Sequence, residues 1–141
     1  MITVTHRFSA SPERVFDAWL DPAKIANWMV APARKMMGTE DECLKIEVDA
    51  RPGGKFSFVV RRAGEDLDHT GDYLEVDRPR RLAFTWGVPK YSKDFSTITL
   101  TFAPDGTGTL VTLEAAGVAE EYRERTQQGW TAILAEVGEH A

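Results

Sequence analysis

Cysteine is nearly missing from this 141-residue chain. Cys43 stands alone, so no internal disulfide can form, and a reducing cytoplasm is the expected compartment. Histidine is scarce as well: His6, His69 and His140 lie far apart, out of step with any metal-ligand spacing. Cys43 has no thiol or imidazole beside it, so no metal and no other cofactor is expected. No apolar run approaches the roughly 20 residues a membrane helix needs, and the opening MITVTHRF lacks the basic-then-apolar layout of a secretion signal. Positive charge is in deficit, with 17 Lys and Arg against 22 Asp and Glu and a net charge of -5, which argues against a nucleic-acid surface. The Gly53-Gly54 pair leads into no helix, so it reads as a turn and not as a phosphate cradle. Without repeats, low-complexity tracts or linkers, residues 1–141 read as one domain.

What is present is an ordinary globular balance, 43% apolar and 28% charged residues, in a chain long enough to bury a core. The longest proline-free stretch with helical spacing is the last, Ala119 to Ala141. Tyr122, Trp130, Ile133, Leu134 and Val137 fall near one stripe, while Glu120, Arg123, Glu124, Arg125, Gln127 and Glu136 take the remaining surface. Gly129 interrupts this helix. It marks either a close approach of the backbone to a neighbour or a tolerated glycine facing solvent.

From the amino end, Ile2, Val4, His6 and Phe8 alternate with polar residues and predict a half-buried strand. Ser11-Pro12 and Asp21-Pro22 each signal a helix start, with a capping side chain followed by a proline suited to the first turn. Val15, Phe16, Trp19 and Leu20 stripe the first helix; Ile25, Trp28 and Met29 stripe the second, which is expected to stop before Pro32. Val30 to Glu42 shows no period, and Met36 and Met37 are expected in a loop there, as a cover or adaptable lid.

The period then becomes two. Leu44, Ile46 and Val48 predict one strand; Phe56, Phe58 and Val60 a second; Gly71, Tyr73, Leu74 and Val76 a third, after a turn over Ala63 to Asp68. Leu82, Phe84 and Trp86 make a fourth, Ile98, Leu100 and Phe102 a fifth, and Thr109 to Ala115 a sixth after the Asp105-Gly106 hairpin signal. The expected order is β-α-α-β6-α: an α+β fold with a curved antiparallel sheet of about seven strands around a long carboxyl-terminal helix.

Four phrases carry a resemblance across most of the chain: VFDAWLDPAKIANWM from Val15, DARPGGKFSF from Asp49, GDYLEVDRPRRLAFTW from Gly71 and GWTAILAEV from Gly129. With the strand order they resemble the START-like, helix-grip superfamily (SRPBCC). The nearer branch looks like the domain that activates the ninety-kilodalton heat-shock chaperone ATPase. The resemblance implies a sheet wrapped around the last helix with a cavity between, where many members hold a lipid, a polyketide or another apolar molecule.

On that reading the expected ligand-binding residues are Trp28, Phe56, Phe58, Tyr73, Phe84, Trp86, Trp130 and Leu134, large apolar groups that would otherwise be plain core. Which of Tyr73, Leu74 and Val76 points inward is open from sequence. No catalytic residue is assigned. His6 has the parity of a core histidine, Arg78, Arg80 and Arg81 read as a solvated turn, and Glu75 or Asp72 could serve as a polar group only if turned inward. The leading expectation is non-catalytic binding of a small apolar or amphipathic molecule, with neither nucleic acid nor membrane as partner. The alternatives are a chaperone-activator-like interaction module, weakened by the lack of a further domain before the first strand, and a polyketide cyclase-like enzyme.

Overall fold

The computed structural model describes residues 1–91 and 93–140, the last of these by its backbone alone. Strand β1 (Ile2–Phe8) alternates as expected, burying Ile2, Val4 and Phe8. Helix α1 (Pro12–Ala18) is capped by Ser11, whose hydroxyl accepts from the Arg14 N–H at 3.4 Å. Helix α2 (Pro22–Met37) is capped by Asp21, which accepts from the Ala23 N–H at 3.0 Å. Both caps satisfy a backbone donor that the first turn leaves free.

Helix α2 does not stop before Pro32. A proline inside a helix forfeits one hydrogen bond and crowds the carbonyl four residues back, at a cost of about 3 kcal/mol or more. Here Trp28, Met29, Val30, Pro32 and Ala33 are all buried, so the packing of this face outweighs the lost bond. The helix ends at Gly38, whose φ of 66° is the left-handed conformation of a helix terminus. Met36 and Met37 therefore sit on its last turn, 57% and 58% exposed, and form no covering loop.

Strands β2 (Glu42–Val48), β3 (Lys55–Arg62), β4 (Glu65–Asp77), β5 (Arg81–Trp86), β6 (Ser96–Asp105) and β7 (Gly108–Ala116) form an antiparallel meander. Strand β1 pairs with β7, so the seven-stranded curved sheet has the order β1-β7-β6-β5-β4-β3-β2. The turn expected over Ala63 to Asp68 is only Ala63-Gly64, with φ of 52° and 78°. Two positive φ values match the twist of a tight hairpin. The charges that suggested a longer turn lie along β4: Asp66 accepts from Arg61 and Asp68 from Ser57.

Two bulges set which side chains turn inward. Between Cys43 and Lys45 the register of β2 slips, leaving Leu44 exposed and Cys43 and Ile46 packed on the core. A second slip between Tyr73 and Glu75 buries Tyr73 and turns Leu74 out. That resolves the parity of β4.

A single 3-10 turn (Glu120–Tyr122) leads into helix α3 (Arg123–His140). Tyr122 thus precedes the helix and is exposed, contrary to its place in the expected stripe. Trp130, Leu134 and Val137 are buried and Ile133 is half-buried. Glu136, expected on the polar side, is only 5% exposed: it accepts from Asn27 Nδ2 at 3.1 Å and from Lys35 Nζ at 2.7 Å, tying α3 to α2. Among the described residues no helix is long and apolar enough to cross a membrane.

Candidate ligand-binding site

Five of the expected site residues pack on one another. Phe56 and Phe58, two apart on β3, stack at 4.7 Å between centroids; Phe56 also meets Tyr73 at 5.4 Å and Phe84 at 5.7 Å. Trp28 stands edge-on to Phe58 at 6.0 Å, and its Nε1 donates to the Ala18 carbonyl at 3.1 Å. The edge-to-face and offset arrangements are those that aromatic quadrupoles favour. With Trp19 these rings enclose a space of about 10 Å³, roughly the volume of one water-sized probe. The hollow expected between sheet and helix is thus filled by its own lining. Leu134 is fully buried on α3.

An open volume with a partly aromatic lining lies at one end of this core. Trp86, at the end of β5, and Trp130, on α3, meet edge to face at 5.1 Å. They floor a groove of about 800 Å³ that also takes in His69, Val88, Val118 and Ile133, with Tyr91, Asp94, Glu121 and Arg125 along its sides. This size and this mixture of apolar wall with a few polar groups suit a small molecule. Of the eight expected residues, only Trp86 and Trp130 line it. Gly129 borders it too, with nothing within 4 Å of where a Cβ would stand, so no close approach explains that glycine.

His69 was missed as a site residue. It lies on the inner parity of β4 with Leu67 and Gly71, a period hidden in the sequence by Asp66 and Asp68, which seemed to mark a turn. Its ring is 5.5 Å from that of Trp86, and Nδ1 lies 3.2 Å from the Phe58 carbonyl oxygen on β3. Burial pushes the imidazole below its ordinary value, and the Phe58 carbonyl only partly offsets this. Burial likewise raises the Tyr73 phenol. Burial also pushes the Cys43 thiol up, which leaves it a poor nucleophile.

The two carboxylates considered as polar groups beside Tyr73 do not turn inward. Asp72 accepts from Lys55 Nζ at 2.6 Å, and Glu75 from Arg81 Nε at 2.9 Å, both among exposed side chains. Among the described residues, no cluster of three or more His, Cys, Asp or Glu side chains could hold a metal ion. Arg78 of the basic turn pairs with Asp17 on α1 and Arg80 with Asp77.

A meander closed by its first strand, with two short helices after β1 and a long last helix against the sheet, is the helix-grip architecture. Within it, residues 9–140 match the family model for "Activator of Hsp90 ATPase homolog 1-like protein", and the chain belongs to that family. The chain is 28% identical over 130 residues to the mouse "Activator of 90 kDa heat shock protein ATPase homolog 1", a match over 92% of this chain and 33% of that protein. It therefore spans about a third of the length of the curated relatives it matches. Among solved structures, protein CV1439 from Chromobacterium violaceum superposes with a TM-score of 0.83 at 27% identity, covering 98% of this chain and 94% of that one. CalU16 from Micromonospora echinospora gives a TM-score of 0.68 at 28% identity, with 97% of this chain and 73% of that one covered.

Proposed function

We propose that the chain binds a small apolar or amphipathic molecule, without converting it, in the groove floored by Trp86 and Trp130. The observation that carries this is the contrast between the two ends of one aromatic cluster. Around Trp28 the rings leave about 10 Å³, whereas beyond Trp86 about 800 Å³ stands open beside buried and half-buried aromatic and aliphatic side chains. A concave surface of that kind loses water favourably when an apolar molecule covers it, at about 25 cal/mol per Å² of apolar area.

The test is an NMR titration with 1-naphthol, following the four indole N–H signals. Saturable shifts are expected at Trp86 and Trp130, with the sealed Trp28 unmoved. Absence of any saturable shift at Trp86 and Trp130 would overturn the proposal, and shifts centred on Trp28 would move the site to the interior.

A second reading has one specific support: the curated relatives that match 92% of this chain are named as activators of a chaperone ATPase. On it, the domain contacts a ninety-kilodalton heat-shock chaperone, and adding this chain to that chaperone raises its ATP turnover. An unchanged turnover across a range of chain concentrations removes that reading.

A further inference from the structure

The polar groups along the groove differ in what they have left to offer. Tyr91 is spent on Glu65, to which its hydroxyl donates. Glu121 and Arg125 stand exposed at the rim, where water screens them. His69 is different, because its ring lies against Trp86 and is held from the strand side. A backbone carbonyl can only accept, so the contact at 3.2 Å with the Phe58 oxygen requires the proton on Nδ1. In the neutral ring the other nitrogen is then a bare acceptor. The Leu67 backbone also lies beside the ring, but no hydrogen bond to Nε2 meets normal geometry among the described residues, and Nε2 is not sealed off as Trp19 Nε1 is.

We infer that His69 is the polar anchor of the groove, its Nε2 accepting a hydrogen bond from a hydroxyl or N–H on an aromatic ligand that lies against Trp86 and Trp130. This rests on the ligand-binding reading above and narrows it to ligands that carry a donor. Water cannot easily reach a nitrogen once an apolar ring covers it, so a ligand without a donor leaves Nε2 unpaired. A pocket built around one hydrogen bond discriminates against the analogue that lacks it for this reason.

The acceptor exists only while the ring is neutral. Burial favours that state, as does the positive charge of Arg62 on β3, while the hydrogen bonds to the Phe58 and Leu67 backbone and the charge of Asp68 on β4 work the other way. Among the described residues, Tyr91 and Asp94 in the loop after β5, Glu121 and Tyr122 in the 3-10 turn and Arg125 on α3 are the remaining charged or titratable groups around the groove. On acidification Nε2 gains a proton and turns from acceptor to donor.

The experiment compares 1-naphthol with 1-methoxynaphthalene, which has the same ring system and no donor, by NMR titration on the whole chain. Near neutral pH the naphthol should bind about tenfold more tightly, the worth of one net hydrogen bond. The gap should close in His69→Phe and reopen in His69→Gln, whose amide oxygen can accept. In the unsubstituted protein it should shrink as the His69 Cε1–H signal reports protonation. Equal affinities for the two probes, or a gap that survives both His69→Phe and acidification, overturn the assignment while leaving ligand binding in place. If neither probe moves Trp86 or Trp130, the ligand-binding reading falls and this inference with it. Where His69→Phe does not fold, the acidification arm decides.

Discussion

Two glycines on α3 show how one residue type answers to different physics. A Cβ at Gly138 would stand 2.6 Å from the Phe8 ring and 3.3 Å from His6 Nε2, so helix and β1 approach too closely there for any side chain. Gly129 meets nothing within 4 Å and has a helical backbone. It costs helix stability without packing in return. Gly129→Ala should therefore raise stability by about 0.5–1 kcal/mol, read from chemical denaturation; a loss would show that the position needs glycine after all. The sequence marked Gly129 by its tryptophan neighbour and passed over Gly138. Which glycine faces a strand depends on the rotation of the whole helix, and periodicity alone leaves that rotation loose by a residue or so.

At the scale of elements, α2 and α3 were each misjudged where a local rule met a tertiary demand. The proline rule closed α2 early, yet the buried face around Pro32 carries the helix through to Gly38. The polarity rule put Glu136 in water, yet it is buried and shared between Asn27 and Lys35, with Glu139 joining at 3.1 Å. The two helices are thus pinned by a charged contact within an apolar seam. Glu136→Ala leaves the buried end of Asn27 without its partner and should cost about 1–3 kcal/mol in a thermal or denaturant melt. An unchanged melting point would mean that α3 is held by Trp130, Leu134 and Val137 alone.

For the whole molecule, acid tells most about what holds it together. Burial lowers the pKa of His69, so the unfolded chain binds its proton more readily, and stability falls as pH drops below the ordinary value of 6.5. The carboxylates respond lower down. Burial pushes the fully buried Asp41 up, but hydrogen bonds from Arg62 and the nearby Arg34 charge outweigh this and leave it below its ordinary value of 3.8. Its contribution is present above 3.8 and is lost as pH falls through the lower folded value. The melting temperature should thus fall in two stages, and His69→Phe should remove only the first; a single fall below the carboxylate range would remove His69 from the account.

The order of strands and helices was legible from the chain because each element signals itself locally. Alternation marked β1 to β7, Ser11-Pro12 and Asp21-Pro22 marked two helix starts, and aromatic pairs such as Phe56 with Phe58 marked an inner face. The content of the interior was not. Whether six rings close over a void or fill it turns on side-chain angles and on the bulges at Leu44 and Leu74, each of which shifts the register by one residue. Only the tertiary structure could decide that Trp28 is walled in while Trp86 and Trp130 stand at an open groove, because free volume belongs to the gaps between elements and no single stretch of sequence encodes a gap.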